Sequence, residues 1–518
     1  MYLTMALHRN LQQQSDVIAT ICGDRVRTHR QSVDRIARTA AGIQAAGAQP
    51  GERIAILAMN SDYYHEVLLA CCWADAVFVP VNIRWSMPEI VYSLIESEVT
   101  QLFVDPTFAG MVEEIRAEHP KITSVVHMSP DPAPDGMTAI DDLVAAHEPI
   151  EDAHRNGDEL AGIFYTGGTT GTPKGVMLSH RNLMTSAVGS AAAGFVPLYG
   201  RLLHAAPMFH LADLAAWNAT NAVGGSHVMI PGFEPVAAMQ AISAHNVSFA
   251  LLVPTMIQML VDHPRIGAHD LSSMTHVLYG ASAMSEAVMK RARAVFPDAR
   301  FTQTYGMTEV APVGTILLPE EHNDPRLARS VGRAAAHSLV KIVGPDDEEL
   351  PVGTAGQICI GGDHVMLGYL NKPQETAEAL RGGWMHTGDG GYVDENGYVF
   401  LTDRLKDMII TGGENVYSIE VENVIAKHPS VASCAVVGIP HTIWGETVHA
   451  VIVLAPGAEL TVDELREHCR AELAGYKCPT SMAVVDQMPI SGAGKILKRA
   501  LREQFAKGHD NGPHAPAR

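Results

Sequence analysis

Between residues 31 and 81 the chain alternates the two periods in which a backbone buries one face. QSVDRIARTAAGIQAAG (31–47) repeats apolar residues at helical spacing, with Val33, Ile36, Ala37, Ala40, Ile43 and Ala46 on one face. Gly47, Pro50 and Gly51 end that helix. ERIAILAMN then reads as a buried strand, Ser61 caps a second helix, DYYHEVLLACCWA, and VFVPV returns as a strand. Two strands joined through a helix need a crossover, so they run parallel and the helices cover the sheet. The rhythm recurs at HVMI (227–230), SFALLVP (248–254) and HVLYGAS (276–282).

Near residue 384 the character changes. WMHTGDGGYVDENGYVFLTDRLKDMIITGGEN is dense in Gly and Asp, and ENG between GYVD and YVFL predicts a hairpin. A compact α+β pattern follows, with helices at VENVIAKHP and TVDELREHCRAELAGY and strands at CAVVGIP and VHAVIVLAP. Thr461 and Glu464 form an S/T-x-x-E capping box. The expected architecture is α/β. A large N-terminal domain of parallel and mixed sheets covered by helices spans 1–404, and a small α+β domain spans 405–518. The polar tail after Phe505 is expected to be disordered.

At about 150 residues per domain, a chain of 518 residues allows two to four domains. Hydrophobic residues make up 47% and charged residues 18%, enough apolar material for a large core. The net charge of -20 argues against nucleic-acid binding through a broad basic face, though not against a local cationic site. The seven cysteines form no CxxC and no zinc-ligand spacing, and no run of about 18 apolar residues occurs. A cytoplasmic enzyme without a transmembrane segment is expected.

Five segments carry chemistry. In Tyr165-Thr-Gly-Gly-Thr-Thr-Gly-Thr-Pro-Lys174-Gly175, the glycines Gly167, Gly168 and Gly171 let the backbone approach a polyphosphate. Thr166, Thr169, Thr170 and Thr172 offer hydroxyl donors, and Lys174 a positive charge. Gly175 after Lys174 departs from the Walker pattern. The second segment is Gln303-Thr304-Tyr305-Gly306-Met307-Thr308-Glu309, where Tyr305 offers a face for a base and Glu309 an oxygen for a hard cation. The third is Trp384-Met-His-Thr-Gly-Asp389-Gly, where Asp389 suits a ribose diol. The fourth runs from Asp403-Arg404-Leu-Lys406-Asp407 into Thr411-Gly412-Gly413-Glu414-Asn415. The fifth is Gly492-Ala-Gly494-Lys495-Ile-Leu-Lys498, a lysine on a Gly-rich loop. Taken singly, the same residues have plainer uses: a flexible linker, a helix N-cap at Thr308, an Asx turn at Asp389, a solvated charge cluster and a surface lysine.

In this order the five blocks resemble the adenylate-forming superfamily and, within it, the acyl-CoA synthetases, from about residue 10 to 505. Two departures are Gly168, where Ser is usual, and His441 in GIPHTIWGE, where Asp is common. The resemblance implies ATP, Mg²⁺ and coenzyme A as reactants and cofactor, with a carboxylic acid as substrate. It implies that Thr166 to Lys174 grip the β- and γ-phosphates, that Thr308 contacts the α-phosphate and that Glu309 holds magnesium. Gln303 to Met307 would bind the nucleotide, with Tyr305 on adenine and Asp389 and Arg404 on the ribose. Lys495 would bridge carboxylate and phosphate in the first half-reaction, Lys406 would be the hinge, and Gly412, Gly413 and Glu414 would line the pantetheine tunnel.

Pro207-Met-Phe-His210 resembles the gate beside the acyl site, and equally suits a strand end with a structural histidine. His210 at this place argues against an amino-acid substrate. Small residues at Gly280, Ala281, Ala311, Val313 and Gly314 suggest a roomy pocket. A medium- or long-chain fatty acid and an aryl-substituted acid both fit, which implies fatty-acid or aryl-acid metabolism. An adenylating ligase that loads a carrier protein is the alternative. The resemblance admits a homodimer and implies no nucleic-acid partner.

Overall fold

The computed structural model describes residues 1–166, 173–282, 284–404, 407, 409–411, 414–442, 444–490 and 496–506. It divides into two compact units. The first holds Met1–Ser282, Arg291–Val340 and Cys359–His386; the second holds Ala283–Lys290, Lys341–Ile358 and Thr387–Arg518.

The first unit is built on two large sheets. Among the described residues, one has eight strands in the order Gly368–Tyr369, Lys174–Ser179, Leu160–Thr166, Val77–Pro80, Arg53–Leu57, Gln101–Val104, Ser124–His127 and Thr138–Ala139. The other has nine, with His276–Gly280 between Phe249–Leu251 and Arg300–Tyr305. Strand interiors pair in parallel, as at Ile54↔Phe78 and Leu278↔Thr302. The expected α/β alternation is therefore present, with antiparallel pairs added at sheet edges.

Local signals explain the helices. His29–Ala45 begins at Thr28, which forms a capping box with Gln31, a device worth about 1 kcal/mol. It buries Val33, Ile36, Ala37, Ala40 and Ile43 as its spacing predicts. Ala46 does not join them: it is the exposed C-cap, one residue past the last helical turn. Ser61 caps Asp62–Trp73, its hydroxyl accepting from the Tyr64 N–H at 3.1 Å. Every residue of that helix is buried, two carboxylates included. Burial of charge requires partners, and Asp62 has Arg25 at 2.7 Å while Glu66 has Arg35 at 2.7 Å.

In the second unit, Ile409–Thr411, Glu414–Val416, Val431–His441, Gly445–Leu454 and Ser481–Val484 make a five-stranded sheet. Its core gathers Val421, Ile425, Val436, Val448, Ile452 and Leu465. The capping box of Thr461 and Glu464 starts Val462–Arg470 as expected. The predicted hairpin joins Met385–Val393 to Val399–Arg404, its turn held by Asp394 accepting from the Asn396 and Tyr398 N–H groups. Among the described residues no helix is long and apolar enough to cross a membrane. All seven cysteines are unpaired.

Candidate active site

The phosphate-loop candidate is flanked by two strands that pair antiparallel. Leu160–Thr166 pairs with Lys174–Ser179 in the register Tyr165↔Gly175 and Thr166↔Lys174. The last pair closes the loop, with the Thr166 hydroxyl 3.5 Å from the Lys174 carbonyl. Gly167, Gly168, Thr169, Thr170, Gly171 and Thr172 lie outside the described residues. On the far side of Lys174–Ser179 the two-residue strand Gly368–Tyr369 pairs antiparallel, with Tyr369 opposite Val176. Gly368 takes φ +146°, and a Cβ there would press on the Thr376 side chain, so this short strand needs its glycine.

A second element meets the hairpin through Tyr369. Arg300–Tyr305 leads into a turn of 3₁₀ helix, Thr308–Val310, that ends at Ala311 in the left-handed region. A Cβ on Gly306 would run into the Pro312 carbonyl, so the turn itself excludes a side chain there. Glu309 is buried, its carbonyl accepting from the Met366 N–H at 2.8 Å. The Tyr369 hydroxyl donates to Glu309 Oε1 at 2.8 Å. Lys174 Nζ sits over the Tyr369 ring, 4.9 Å from its centroid. Burial, with the Glu309 carboxylate beside it, pushes the Tyr369 hydroxyl well above the usual phenol range, so it stays a neutral donor. A buried carboxylate offers oxygen ligands of the kind a hard divalent cation takes, so Glu309 fits the expected magnesium.

Gln303, Thr304 and Tyr305 lie on one strand, Gln303 with its amide oxygen 3.2 Å from the Tyr279 hydroxyl. Gly306, Met307 and Thr308 follow it, all partly exposed. Gly280 is buried in register with Thr304, while Ala281 is exposed at φ +66°. Ala311 and Val313 are buried, the latter packed with Ile316 and Ala335.

His210 occupies the N-cap position of Leu211–Ala222, its ring 4.4 Å from that of Phe209. The preceding turn is pinned by Asn60, whose amide donates to the Ala206 carbonyl at 2.9 Å and accepts from the Met208 N–H at 2.8 Å. Three residues on, Asp213 is fully buried and lies 2.6 Å from His204 Nδ1; His204 Nε2 in turn is 3.0 Å from His227 Nδ1. This carboxylate is thus committed inside the protein rather than offered to a substrate ammonium.

In the second unit Asp389 and Arg404 are cross-strand partners. The hydrogen bond that shapes the TGD turn comes from Thr387, whose hydroxyl accepts from the Asp389 N–H at 3.1 Å. Gly412 and Gly413 lie outside the described residues, between the paired residues Thr411 and Glu414. Lys495 also lies outside them, between Ile490 and Ile496, which pair as an antiparallel bridge. Lys406 is outside them as well; the next residue, Asp407, is paired with Arg502 at 2.8 Å.

Sequence reasoning missed Tyr369, Asn60 and the His204–Asp213 pair. Tyr369 stands in LGYLNKP, where a lone aromatic before a turn gives no sign of a partner 60 residues earlier.

Comparison with known proteins gives the family. A profile of AMP-binding enzymes matches residues 7–370, and one of the AMP-binding enzyme C-terminal domain matches residues 420–495. A feruloyl-CoA synthase from Amycolatopsis sp is 39% identical over 482 residues, covering 92% of this chain and 94% of its own. A fatty acid–[acyl-carrier-protein] ligase from Streptomyces coeruleorubidus is 35% identical over 511 residues, with 95% and 94% covered. Among solved structures, ATP-bound MatB from Rhodopseudomonas palustris superposes with a TM-score of 0.88 at 30% identity, over 98% of this chain and 99% of its own. The chain belongs to the AMP-binding enzyme family, within the acyl-CoA synthetases of the adenylate-forming superfamily.

Proposed function

We propose that this enzyme activates an aryl-substituted or a medium- to long-chain carboxylic acid with ATP and transfers the acyl group to coenzyme A. The observation that carries the reading is the convergence of Lys174 and Glu309 on Tyr369: a cation at the end of the strand that follows the Gly/Thr segment and a buried carboxylate, brought together from distant segments. The full-length similarity to a feruloyl-CoA synthase supports CoA as acceptor and an aryl acid as substrate, and the fatty acid ligase supports an alkyl acid.

In the first half-reaction a carboxylate oxygen attacks the α-phosphorus, and the bond to pyrophosphate breaks. Anions approach one another, so the protein must supply positive charge and oriented donors. Lys174 and the loop from Thr166 serve the β- and γ-phosphates, Thr308 the α-phosphate, and Lys495 the attacking carboxylate. Magnesium held by Glu309 would neutralise phosphate charge. Tyr305 stacks on adenine, while Asp389 and Arg404, opposite each other on their hairpin, take the ribose hydroxyls.

In the second half-reaction the CoA sulfur attacks the acyl carbonyl and AMP leaves. Lys495 is then an obstruction, and withdrawing it requires a pivot. Lys406 is that pivot in this reading. On one side of it Arg404 is paired across its hairpin with Asp389, and on the other Asp407 is tied to Arg502 on the helix that follows Lys495. Gly412, Gly413 and Glu414 then line the pantetheine path, and His210 gates the acyl site. The enzyme acts in the cytoplasm, and its assembly as a homodimer is checked by light scattering.

The test is a panel of carboxylic acids scored by AMP release with CoA or with a phosphopantetheinyl carrier protein. AMP release that needs CoA, with aryl or alkyl acids, supports the proposal. Release that responds to the carrier alone would transfer the enzyme to the carrier-loading class.

A further inference from the structure

We infer that Tyr369 is a positioning residue for adenylation, holding Glu309 through its hydroxyl and Lys174 through the face of its ring. The inference rests on the reading of Lys174 and Glu309 as groups that serve ATP and its metal. A cation and a carboxylate placed near one polyphosphate tend to pair with each other, and a direct salt bridge would spend both charges. Tyr369 gives each a separate, neutral partner. The ring takes the ammonium at 4.9 Å, and the hydroxyl donates to the carboxylate at 2.8 Å. The ring thus positions the Lys174 ammonium toward phosphate, and the hydroxyl orients one Glu309 oxygen.

The backbone is arranged to deliver this one side chain. Leu367 and Leu370 hydrogen-bond through their N–H groups to Met177 and Gly175, fixing Tyr369 beside the phosphate hairpin. The Met366 N–H grips the Glu309 carbonyl three residues earlier. The Thr376 hydroxyl accepts from the Tyr369 N–H at 2.9 Å and locks the strand from the other side. Three elements thus meet at Tyr369.

The two functions separate by substitution. Tyr369→Phe keeps the ring and loses the hydroxyl; Tyr369→Leu loses both. Two direct binding measurements read them: Mn²⁺ titrated by electron paramagnetic resonance in the presence of ATP, and ATP binding in EDTA by calorimetry. Tyr369→Phe is expected to weaken Mn²⁺ binding by about five- to tenfold and to leave metal-free ATP binding unchanged. Tyr369→Leu is expected to weaken metal-free ATP binding as well, by about two- to fivefold. Glu309→Gln and Lys174→Ala are measured alongside. If these two leave Mn²⁺ and ATP binding as in the parent, the underlying site assignment fails. If they weaken binding while both Tyr369 variants match the parent, the positioning role fails. Equal losses of Mn²⁺ and metal-free ATP binding in Tyr369→Phe would also overturn it, because they would mark a merely structural tyrosine.

Discussion

Two lysines follow glycine-rich segments in this protein, and the structure around those segments differs. Lys174 opens a strand hydrogen-bonded on both sides, to Leu160–Thr166 and to Gly368–Tyr369, within an eight-stranded sheet. Its ammonium rests on the Tyr369 ring. Lys495 lies outside the described residues; on either side of it Ile490 and Ile496 pair as an antiparallel bridge and the Leu497 N–H donates to the Pro489 carbonyl at 2.8 Å. The helix that follows is anchored by side chains. Lys498 pairs with Glu422 at 2.8 Å, Arg502 pairs with Asp407, and Leu501 is buried beside Val437, Ile439 and Val451. The contrast suits two kinds of charge. Lys174, built into a sheet, would be present in every step; Lys495, in the proposed reading, is supplied for one step and withdrawn for the next.

The strongest way to break this contrast is to remove Lys495. Lys495→Ala should cut acyl-AMP formation by about a hundred- to a thousandfold, the loss of one transition-state charge partner. Thioester formation from supplied acyl-AMP should stay largely intact, as checked by rapid-quench assays of each half-reaction. Lys406→Pro should give the opposite pattern, because proline fixes φ near −65° and denies the rotation. Pyrophosphate release should survive, and acyl-CoA yield should fall by about tenfold or more.

Lys174→Ala should cost less than Lys495→Ala, about ten- to a hundredfold in kcat/KM for ATP, as one charge-assisted contact of about 1.5–3 kcal/mol predicts. Thr170→Ala should lie at the lower end of that range in the same steady-state assay; unchanged kinetics in both variants would remove the hairpin from ATP binding. Lys406→Ala should be the mildest, within about twofold on both half-reactions, since alanine leaves the backbone free. An alanine as damaging as the proline would move the role from the backbone to the ammonium.

How far the sequence exposes this design depends on how local each signal is. The helix His29–Ala45 and its capping box are readable because cap and apolar stripe occupy one stretch of chain. Ala46 was placed on the buried face because its spacing fits, but the helix has ended there and the residue faces solvent. The antiparallel edge strand Gly368–Tyr369 has only two residues, too few for any periodicity. The Tyr369 contacts with Lys174 and Glu309 arise only once that strand docks. His204 and Asp213 likewise lie on a strand and the helix after it, and only the packing of that crossover makes them a buried pair. The glycine-rich blocks were legible as motifs because backbone access leaves its mark in composition; their mountings were not, since pairing across a sheet involves distant residues.

The central claim is that one lysine serves adenylation alone while the large unit serves both half-reactions. It is tested most directly by single-turnover measurements on Lys495→Ala, comparing pyrophosphate released from acid and ATP with acyl-CoA formed from purified acyl-AMP and CoA. The account predicts pyrophosphate release lowered by about a hundredfold or more and acyl-CoA formation close to that of the parent enzyme. Equal losses in the two reactions would contradict it.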